Sequence, residues 1–233
     1  MLENLDLPVR VVCATRLQRD EFLHRTATGK SLASCQLVSP VEIQLFPENR
    51  RGLSEVYNEA IEKVQSLGPA ILVFVHDDVL FTDFFWCAHL IDGLRNFDIV
   101  GLAGTTRRFD YQESWAFADM NGSLDSEKNL SGSVGFAKNQ FPVVVKPYGP
   151  VGRKCKLLDG LFLAARSDTL IHSGLRFDPE FKFHFYDMDF CRSADTLGLT
   201  MGTVGISVVH ESDGGYGPEW RDVYAKYIDK WGS

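Results

Sequence analysis

The sequence predicts an α/β architecture organised around a mostly parallel sheet. Strand-like and helix-like segments alternate over the first hundred residues, the pattern that joins parallel strands through crossover helices. Residues 70–75, Ala-Ile-Leu-Val-Phe-Val, form an unbroken apolar run, as expected of a strand buried on both faces. A chain of 233 residues fits one large α/β domain or two small ones, and either buries a substantial core.

The first strand is expected at 9–14, ending at Thr15-Arg16. Residues 20–32 read as a helix, weakened by Thr26, Thr28 and Gly29. Residues 41–46 alternate apolar and polar side chains and form a second strand, stopped by Pro47-Glu48-Asn49. Leu53, Val56, Ala60, Ile61, Val64 and Leu67 recur at a helical period, with Ser54 available as a cap and Gly68-Pro69 as the stop. The apolar strand 70–75 follows and runs into His76-Asp77-Asp78; a helix over 83–97 and a short strand at 99–103 come next. Between 107 and 156 the alternation lapses into Gly, Ser, Asn and scattered aromatics, with one strand signal at 141–146. Trp115, Phe117, Phe136 and Phe141 are too apolar for a free linker, so this segment is read as an irregular, ordered insertion. A strand over 156–165 is interrupted by Asp159-Gly160; a helix over 187–197 and a buried strand over 204–209 end at His210-Glu211-Ser212. The tail, 213–233, opens glycine-rich and closes in an amphipathic helix carrying Trp220, Tyr224, Tyr227, Ile228 and Trp231, expected to pack on its own domain.

The composition narrows the function. A formal net charge of -7 and the lack of a basic stripe argue against nucleic acid as a partner. No apolar run approaches the roughly 20 residues that span a bilayer. The opening MLENLDLPVR carries acidic residues where a secretory leader carries positive charge, which gives an expectation of cytoplasmic residence. Cys13, Cys35, Cys87, Cys155 and Cys191 are widely spaced, odd in number and without a C-x-x-C pair, so they are read as buried free thiols.

Three polar clusters fall at the ends of expected elements. Carboxylates at the end of a buried strand are costly unless neutralised, and the carboxyl ends of strands are where open α/β sheets bind ligands. A divalent cation carrying a phosphorylated ligand would neutralise Asp77 and Asp78, because Mg²⁺ takes one or two carboxylates plus phosphate oxygens. Without a ligand, the same stretch is a solvated turn in which Asp78 caps the next helix. His210 closes the last strand. If that strand and the one ending at Asp78 are parallel neighbours, both open on one sheet edge and make a mixed O/N site for Mn²⁺ or Mg²⁺. Otherwise His210 is a strand end with its ring bonded to a carbonyl. In Tyr186-Asp187-Met188-Asp189 one aspartate, Asp189, suits the helix macrodipole, and the other can act as a general base toward a substrate hydroxyl. Phe181, Phe183, Phe185 and Tyr186 would raise the pKa of that base by desolvation, and a nearby cation would oppose the rise.

These segments, in order, resemble a known family. Asn49, Gly52-Leu53-Ser54, Tyr57-Asn58, Val-Phe-Val-His-Asp-Asp-Val, Val-Gly-Leu-Ala-Gly and Leu-Asp-Gly-Leu-Phe-Leu are followed by Phe-Asp-Pro-Glu-Phe, Tyr-Asp-Met-Asp-Phe-Cys and Val-Val-His-Glu-Ser. The run, over about 8–212, is similar to GT-A glycosyltransferases of the family 2 type. It is closest to a small branch, named for a streptomycin-biosynthesis protein, that carries His-x-Asp where most relatives carry Asp-x-Asp. The resemblance implies one GT-A (Rossmann-like) domain, a mostly parallel central sheet with helices on both faces. It divides into a nucleotide-sugar half (8–106), an acceptor-side insertion (107–156), a catalytic half (157–212) and a C-terminal loop and helix (213–233). Asp78 would then hold the metal bridging the donor diphosphate, with Asp77 beside it and His76 in place of the usual first aspartate. Thr15, Arg16 and Asn49 fall where relatives hold the nucleotide, and Asp159-Gly160 lies beneath the donor sugar. Asp187 takes the place of the catalytic base of inverting members, with Tyr186 where a glutamate is usual. His210 matches a late metal ligand, and Trp115 lies where acceptors bind.

The expectation is a metal-dependent, inverting transfer of sugar from a nucleoside-diphosphate donor to a hydroxyl of a glycan, lipid-linked or small-molecule acceptor. The insertion would close over the donor. A metal-dependent phosphohydrolase, a nucleotidyltransferase or a non-catalytic nucleotide-sugar-binding module are the competing readings. The first wants further ligands for a second metal, and the second wants a basic glycine-rich loop that Cys13-Ala14-Thr15-Arg16 does not provide.

Overall fold

The computed structural model describes residues 7–137, 143–212 and 217–232. The first strand, β1 (Val9–Ala14), is followed by α1 (Arg19–Arg25), α2 (Ala27–Cys35), β2 (Glu42–Phe46), α3 (Leu53–Glu62), α4 (Val64–Leu67) and β3 (Ile71–Val75). Then come β4 (Val79–Phe81), α5 (Trp86–Gly93), β5 (Ile99–Gly101), β6 (Ala103–Thr105), β7 (Leu130–Phe136), β8 (Val144–Gly149), β9 (Lys154–Cys155) and β10 (Leu157–Leu158). The chain finishes with β11 (Phe162–Arg166), α6 (Ser167–Ser173), α7 (Tyr186–Thr196), β12 (Met201–Thr203), β13 (Val208–His210) and α8 (Pro218–Trp231).

The main sheet has the order β2-β1-β3-β11-β5-β12-β9. Strands β2, β1, β3, β5 and β12 run one way, and β11 and β9 run against them. The expected parallel core is therefore present, with β11 inserted antiparallel between β3 and β5. Every residue of β3 is buried, as its unbroken apolar run requires. Helix α3 packs on β1 and α6 on β11.

A second sheet, β10-β6-β7-β13-β4 with β8 on β7, is absent from the sequence expectation. Three misreadings hide it. Residues 99–103 read as one strand, but the chain changes sheets at Leu102; of 204–209 only 208–209 are strand, 204–207 being the connection from β12, which the sequence reading did not expect, to β13 in the second sheet. Asp78 opens no helix: it leads straight into β4, a three-residue strand too short to show a period. The insertion is not irregular throughout, because β7 and β8 form an antiparallel pair within it. The strand signal at 141–146 is realised as β8 from Val144 onward, while 141–142 lie outside the described residues.

The helix expected at 20–32 is two helices. Thr26 ends α1 by donating to Phe22 O (2.8 Å) and opens α2 by accepting from Gly29 N (2.9 Å). A Cβ at Gly29 would lie 2.1 Å from Phe22 O, so the tight corner needs glycine there.

Candidate functional site

The turn between β3 and β4 is built first by Thr28 on α2. Its hydroxyl donates to His76 O (2.6 Å) and Val79 O (2.8 Å) and accepts from Val79 N (3.2 Å), while its own N–H donates to Asp77 O (3.1 Å). A fully buried threonine thus fixes His76-Asp77-Asp78 against the first helical layer. Sequence reasoning gave Thr28 only a weak helix propensity and missed this role.

His210 reaches Asp78 by a route other than the expected one. Strand β13 lies in the second sheet and is not a parallel neighbour of β3. It pairs antiparallel with β4, so His210 falls opposite Val79, and Glu211 N donates to Asp78 O at 3.0 Å. The imidazole Nε2 lies 3.3 Å from Asp78 Oδ1 and 3.0 Å from Ser212 Oγ. The contact to Asp78 has ion-pair distance without hydrogen-bond alignment, which leaves this buried carboxylate oxygen without a hydrogen-bond partner. Burial pushes the Asp78 carboxyl up, but His210 outweighs it and holds the group at about 2.

His76 completes the group. Tyr186 Oη donates to Gly160 O (2.7 Å) and lies 2.8 Å from His76 Nε2. The phenol has one hydrogen and gives it to the carbonyl, so His76 Nε2 carries the proton in their contact. Burial holds the ring neutral, with its pKa lowered to about 4. Its free lone pair is therefore on Nδ1. A ring whose second nitrogen donates to a fixed acceptor is the usual support of a metal-bound histidine. Ligand atoms of His76, Asp78 and His210 all lie within 4.8 Å of one another. The orphaned Asp78 oxygen, the neutral His76 and the mixed N/O donor set fit a divalent transition ion such as Mn²⁺. His76 is thus a stronger candidate ligand than its place in the motif suggested, and Tyr186 is the residue that orients it.

The second half of the site hangs on Gly160. Its N–H donates to Asp187 Oδ2 (2.9 Å), and Met188 N donates to Asp187 Oδ1 (2.9 Å). Burial and the facing Asp159 push the Asp187 carboxyl up to about 7. Burial also raises Asp159, against the Leu161 N–H that donates to its Oδ1 at 3.0 Å. Trp115 is buried, packs edge-on to Tyr148 and hydrogen-bonds to Asp159. A Cβ on Gly160 would meet Tyr186 Oη at 2.5 Å and Asp187 Cβ at 2.8 Å, so only glycine lets these groups converge. Asp187, Gly160, Tyr186 and His76 form one hydrogen-bonded chain that ends at the His76–Asp78–His210 group.

Helix α3 uses its motif residues otherwise than expected: Gly52, not Ser54, is its N-cap, and Ser54 turns instead to the segment before α7. Leu53 N donates to Lys182 O (2.6 Å), Ser54 Oγ to Phe181 O (2.6 Å) and Asn58 Nδ2 to Phe177 O (2.7 Å). These bonds pin 177–182, the segment leading into α7. Beneath it, Tyr57, Phe74, Phe177 and Phe190 pack ring on ring, with Phe177 and Phe190 stacked at 4.1 Å.

Thr15, Arg16 and Asn49 lie to the other side of Asp77. Asn49 N donates to Thr15 O (2.8 Å) and Glu48 N to Leu17 O (2.9 Å), zipping the two loops together. Arg16, Glu48, Asn49 and Arg50 line a shallow cavity. The Asn49 side chain is engaged locally, with both of its polar atoms bonded to Arg51 backbone. The Thr15 hydroxyl bonds to Asp77, whose carboxyl is nonetheless pushed up by burial. Asp189 does not serve the macrodipole alone: it is fully buried and bonded to Trp231 and Lys230 of α8.

No protein-family model matches this chain, and no curated protein matches it. Solved structures share its fold. One is the crystal structure of GalNAc-T7 with UDP, GalNAc and Mn²⁺: TM-score 0.52, 12 % identity, 97 % of this chain and 49 % of that one. A second is A197 from STIV: TM-score 0.51, 8 % identity, 89 % of this chain and 87 % of that one. This chain therefore spans about half the length of the first neighbour. At such identities the likeness is one of fold, the GT-A, Rossmann-like architecture with helices on both sides of its sheets. No described helix is long and apolar enough to cross a membrane.

Proposed function

We propose that this GT-A domain is a glycosyltransferase that moves a sugar from a nucleoside-diphosphate donor to an acceptor hydroxyl, with inversion at the anomeric carbon. The observation that carries the reading is Asp187. It is a carboxylate held by two backbone N–H groups and raised to about 7, and it is joined through Gly160 and Tyr186 to the His76–Asp78–His210 group. A base poised near neutral pH accepts a proton from an attacking hydroxyl most effectively. GalNAc-T7, one of the structural neighbours, holds UDP, GalNAc and Mn²⁺, which supports a nucleotide-sugar donor and a divalent ion here.

In this reading Asp78, His210 and His76 Nδ1 would hold Mn²⁺ or Mg²⁺, and the ion would supply neutralising charge for a departing diphosphate. Thr15, Arg16, Asn49 and Asp77 bind the nucleotide, Arg16 and Asn49 from the cavity that they line. Asp159 and Gly160 lie under the sugar, and Trp115 in the 107–156 segment meets the acceptor. Asp187 takes the hydroxyl proton at Oδ1 or Oδ2, both already oriented by backbone donors. One base suffices for a single in-line displacement, and its product is inverted. The single domain would divide as 8–106, 107–156, 157–212 and 213–233, and cytoplasmic residence is proposed with it.

The test is calorimetric titration of UDP, GDP and dTDP, with and without Mn²⁺. Mn²⁺-dependent binding lost in Asp78→Ala supports the reading. Binding of none of them, or binding indifferent to Asp78, counts against it. A two-metal phosphohydrolase fits less well. Among the described residues His76, Asp78 and His210 form the one such ligand group, which provides for one metal and not two.

A further inference from the structure

Among the described residues, three non-glycine positions have left-handed backbone: Glu48 (φ 49°), Tyr111 (φ 59°) and Phe185 (φ 62°). Such positions are costly and persist only where surrounding contacts enforce them. Glu48 lines the donor-side cavity. The other two are held by α8. Phe185, the residue that opens α7 two positions before Asp187, has its ring against Trp220 (5.2 Å), Tyr224 (5.7 Å) and Tyr227 (5.1 Å). Tyr224 Oη also donates to Tyr111 O at 2.8 Å.

The far end of the same helix grips α7 from below. Trp231 Nε1 donates to Asp189 Oδ1 (2.7 Å), and Lys230 Nζ bridges Asp189 Oδ1 (2.7 Å) and Asp178 Oδ2 (2.6 Å). Asp189 is fully buried in the first turn of α7, and its side-chain partners come from α8. A carboxylate that stays buried under α8 but loses one of these donors is strongly unfavourable, so Asp189 ties the first turn of α7 to Lys230 and Trp231.

We propose that α8 is a positioning strap: by holding Phe185, Asp189 and Tyr111 together, it sets where α7 presents Asp187 and couples that placement to the acceptor-side segment. Lys230, Trp231 and Tyr224 are positioning residues in this scheme and touch no reacting atom. The strap rests on the reading of Asp187 as the base, but its mechanical part stands apart from it.

The experiment has two arms on the full-length chain. In hydrogen exchange, Lys230→Met accelerates exchange about tenfold in both 184–190 and 108–113, while Lys230→Arg stays within about threefold of wild type. Acceleration confined to 218–232, or reaching one of the two segments without the other, overturns the strap. In turnover, Lys230→Met lowers kcat for Mn²⁺-dependent diphosphate release about tenfold and moves the nucleotide-sugar KM less than about twofold; Lys230→Arg restores kcat. Unchanged kcat in a variant with accelerated exchange overturns the positioning role. Wild-type protein that releases diphosphate from no nucleotide sugar sinks the transferase reading, and exchange then decides the strap alone. If Lys230→Met fails to fold, Trp231→Phe carries the same expectations, since it removes the indole N–H and keeps an aromatic ring against Arg192.

Discussion

Asp187→Asn should cost the protein its activity and change its stability in a pH-dependent way that can be worked out in advance. The unfolded carboxyl loses its proton near 3.8, and in the folded protein it keeps the proton to about 7. Between those values the folded state binds the extra proton, so wild-type stability falls as pH rises, by up to about 1.4 kcal/mol per unit, and levels off above the folded value. The full interval of about three units corresponds to a ceiling of about 4 kcal/mol. Asparagine carries no charge to bury. It does lose one of two backbone donors, since its amide can accept from Gly160 N or Met188 N but not both, which costs about 1–3 kcal/mol. The variant should therefore be slightly less stable than wild type near pH 5 and about 1–2 kcal/mol more stable at pH 8. The assay is urea unfolding in chelator at pH 5, 6, 7 and 8. The difference between the two proteins should grow by about 2–3 kcal/mol across that series. A difference constant to within about 0.5 kcal/mol would falsify the claim that Asp187 is a desolvated carboxylate held near neutrality.

Other outcomes follow from the same geometry. Gly160→Ala should destabilise by about 1–3 kcal/mol and abolish turnover, because its Cβ collides with Tyr186 Oη and Asp187 Cβ; equilibrium unfolding and diphosphate release check it. Tyr186→Phe removes the acceptor that fixes His76 and should weaken Mn²⁺ binding about 10–100-fold, measured by calorimetry; unaltered affinity would remove His76 from the ligand set. Mn²⁺ at 100 times its dissociation constant should stabilise wild type by about 2.7 kcal/mol and leave Asp78→Ala unmoved in a thermal-shift series. Thr28→Val should cost about 1–3 kcal/mol by leaving the β3–β4 turn without its hydroxyl partner, and should also lower Mn²⁺ affinity, read in the same series.

The sequence made the parallel core legible because β1, β2 and β3 each carry a period or an apolar run long enough to read, with breakers between them. It made Asp78, His210 and Asp187 legible as charged or titratable residues at element ends. The second sheet was not legible: β4, β6 and β13 are three residues long, too short for a period, and the sheet change at Leu102 leaves no polar break in the sequence. For the same reason the contact of His210 with Asp78 looked like one between parallel neighbours, when β4 makes it antiparallel. The role of Thr28, and that of Tyr186 in orienting His76, were missed because they are hydrogen bonds to distant backbone and to His76, which no local pattern encodes. Asp189 in a first helical turn looks the same whether it faces solvent or anchors Trp231, and burial alone separates the two.

The central claim is that Asp187 and the His76–Asp78–His210 group together transfer a sugar from a nucleotide donor. The most direct measurement is diphosphate release from a panel of nucleotide sugars with Mn²⁺, run on wild type, Asp187→Asn and Asp78→Ala with acceptor mixtures of glycans and lipid-linked sugars. The account predicts release by wild type from at least one donor, abolished in Asp187→Asn with donor binding retained, and abolished in Asp78→Ala with donor binding lost. Wild-type release that survives Asp187→Asn, or no release from any donor, would contradict it.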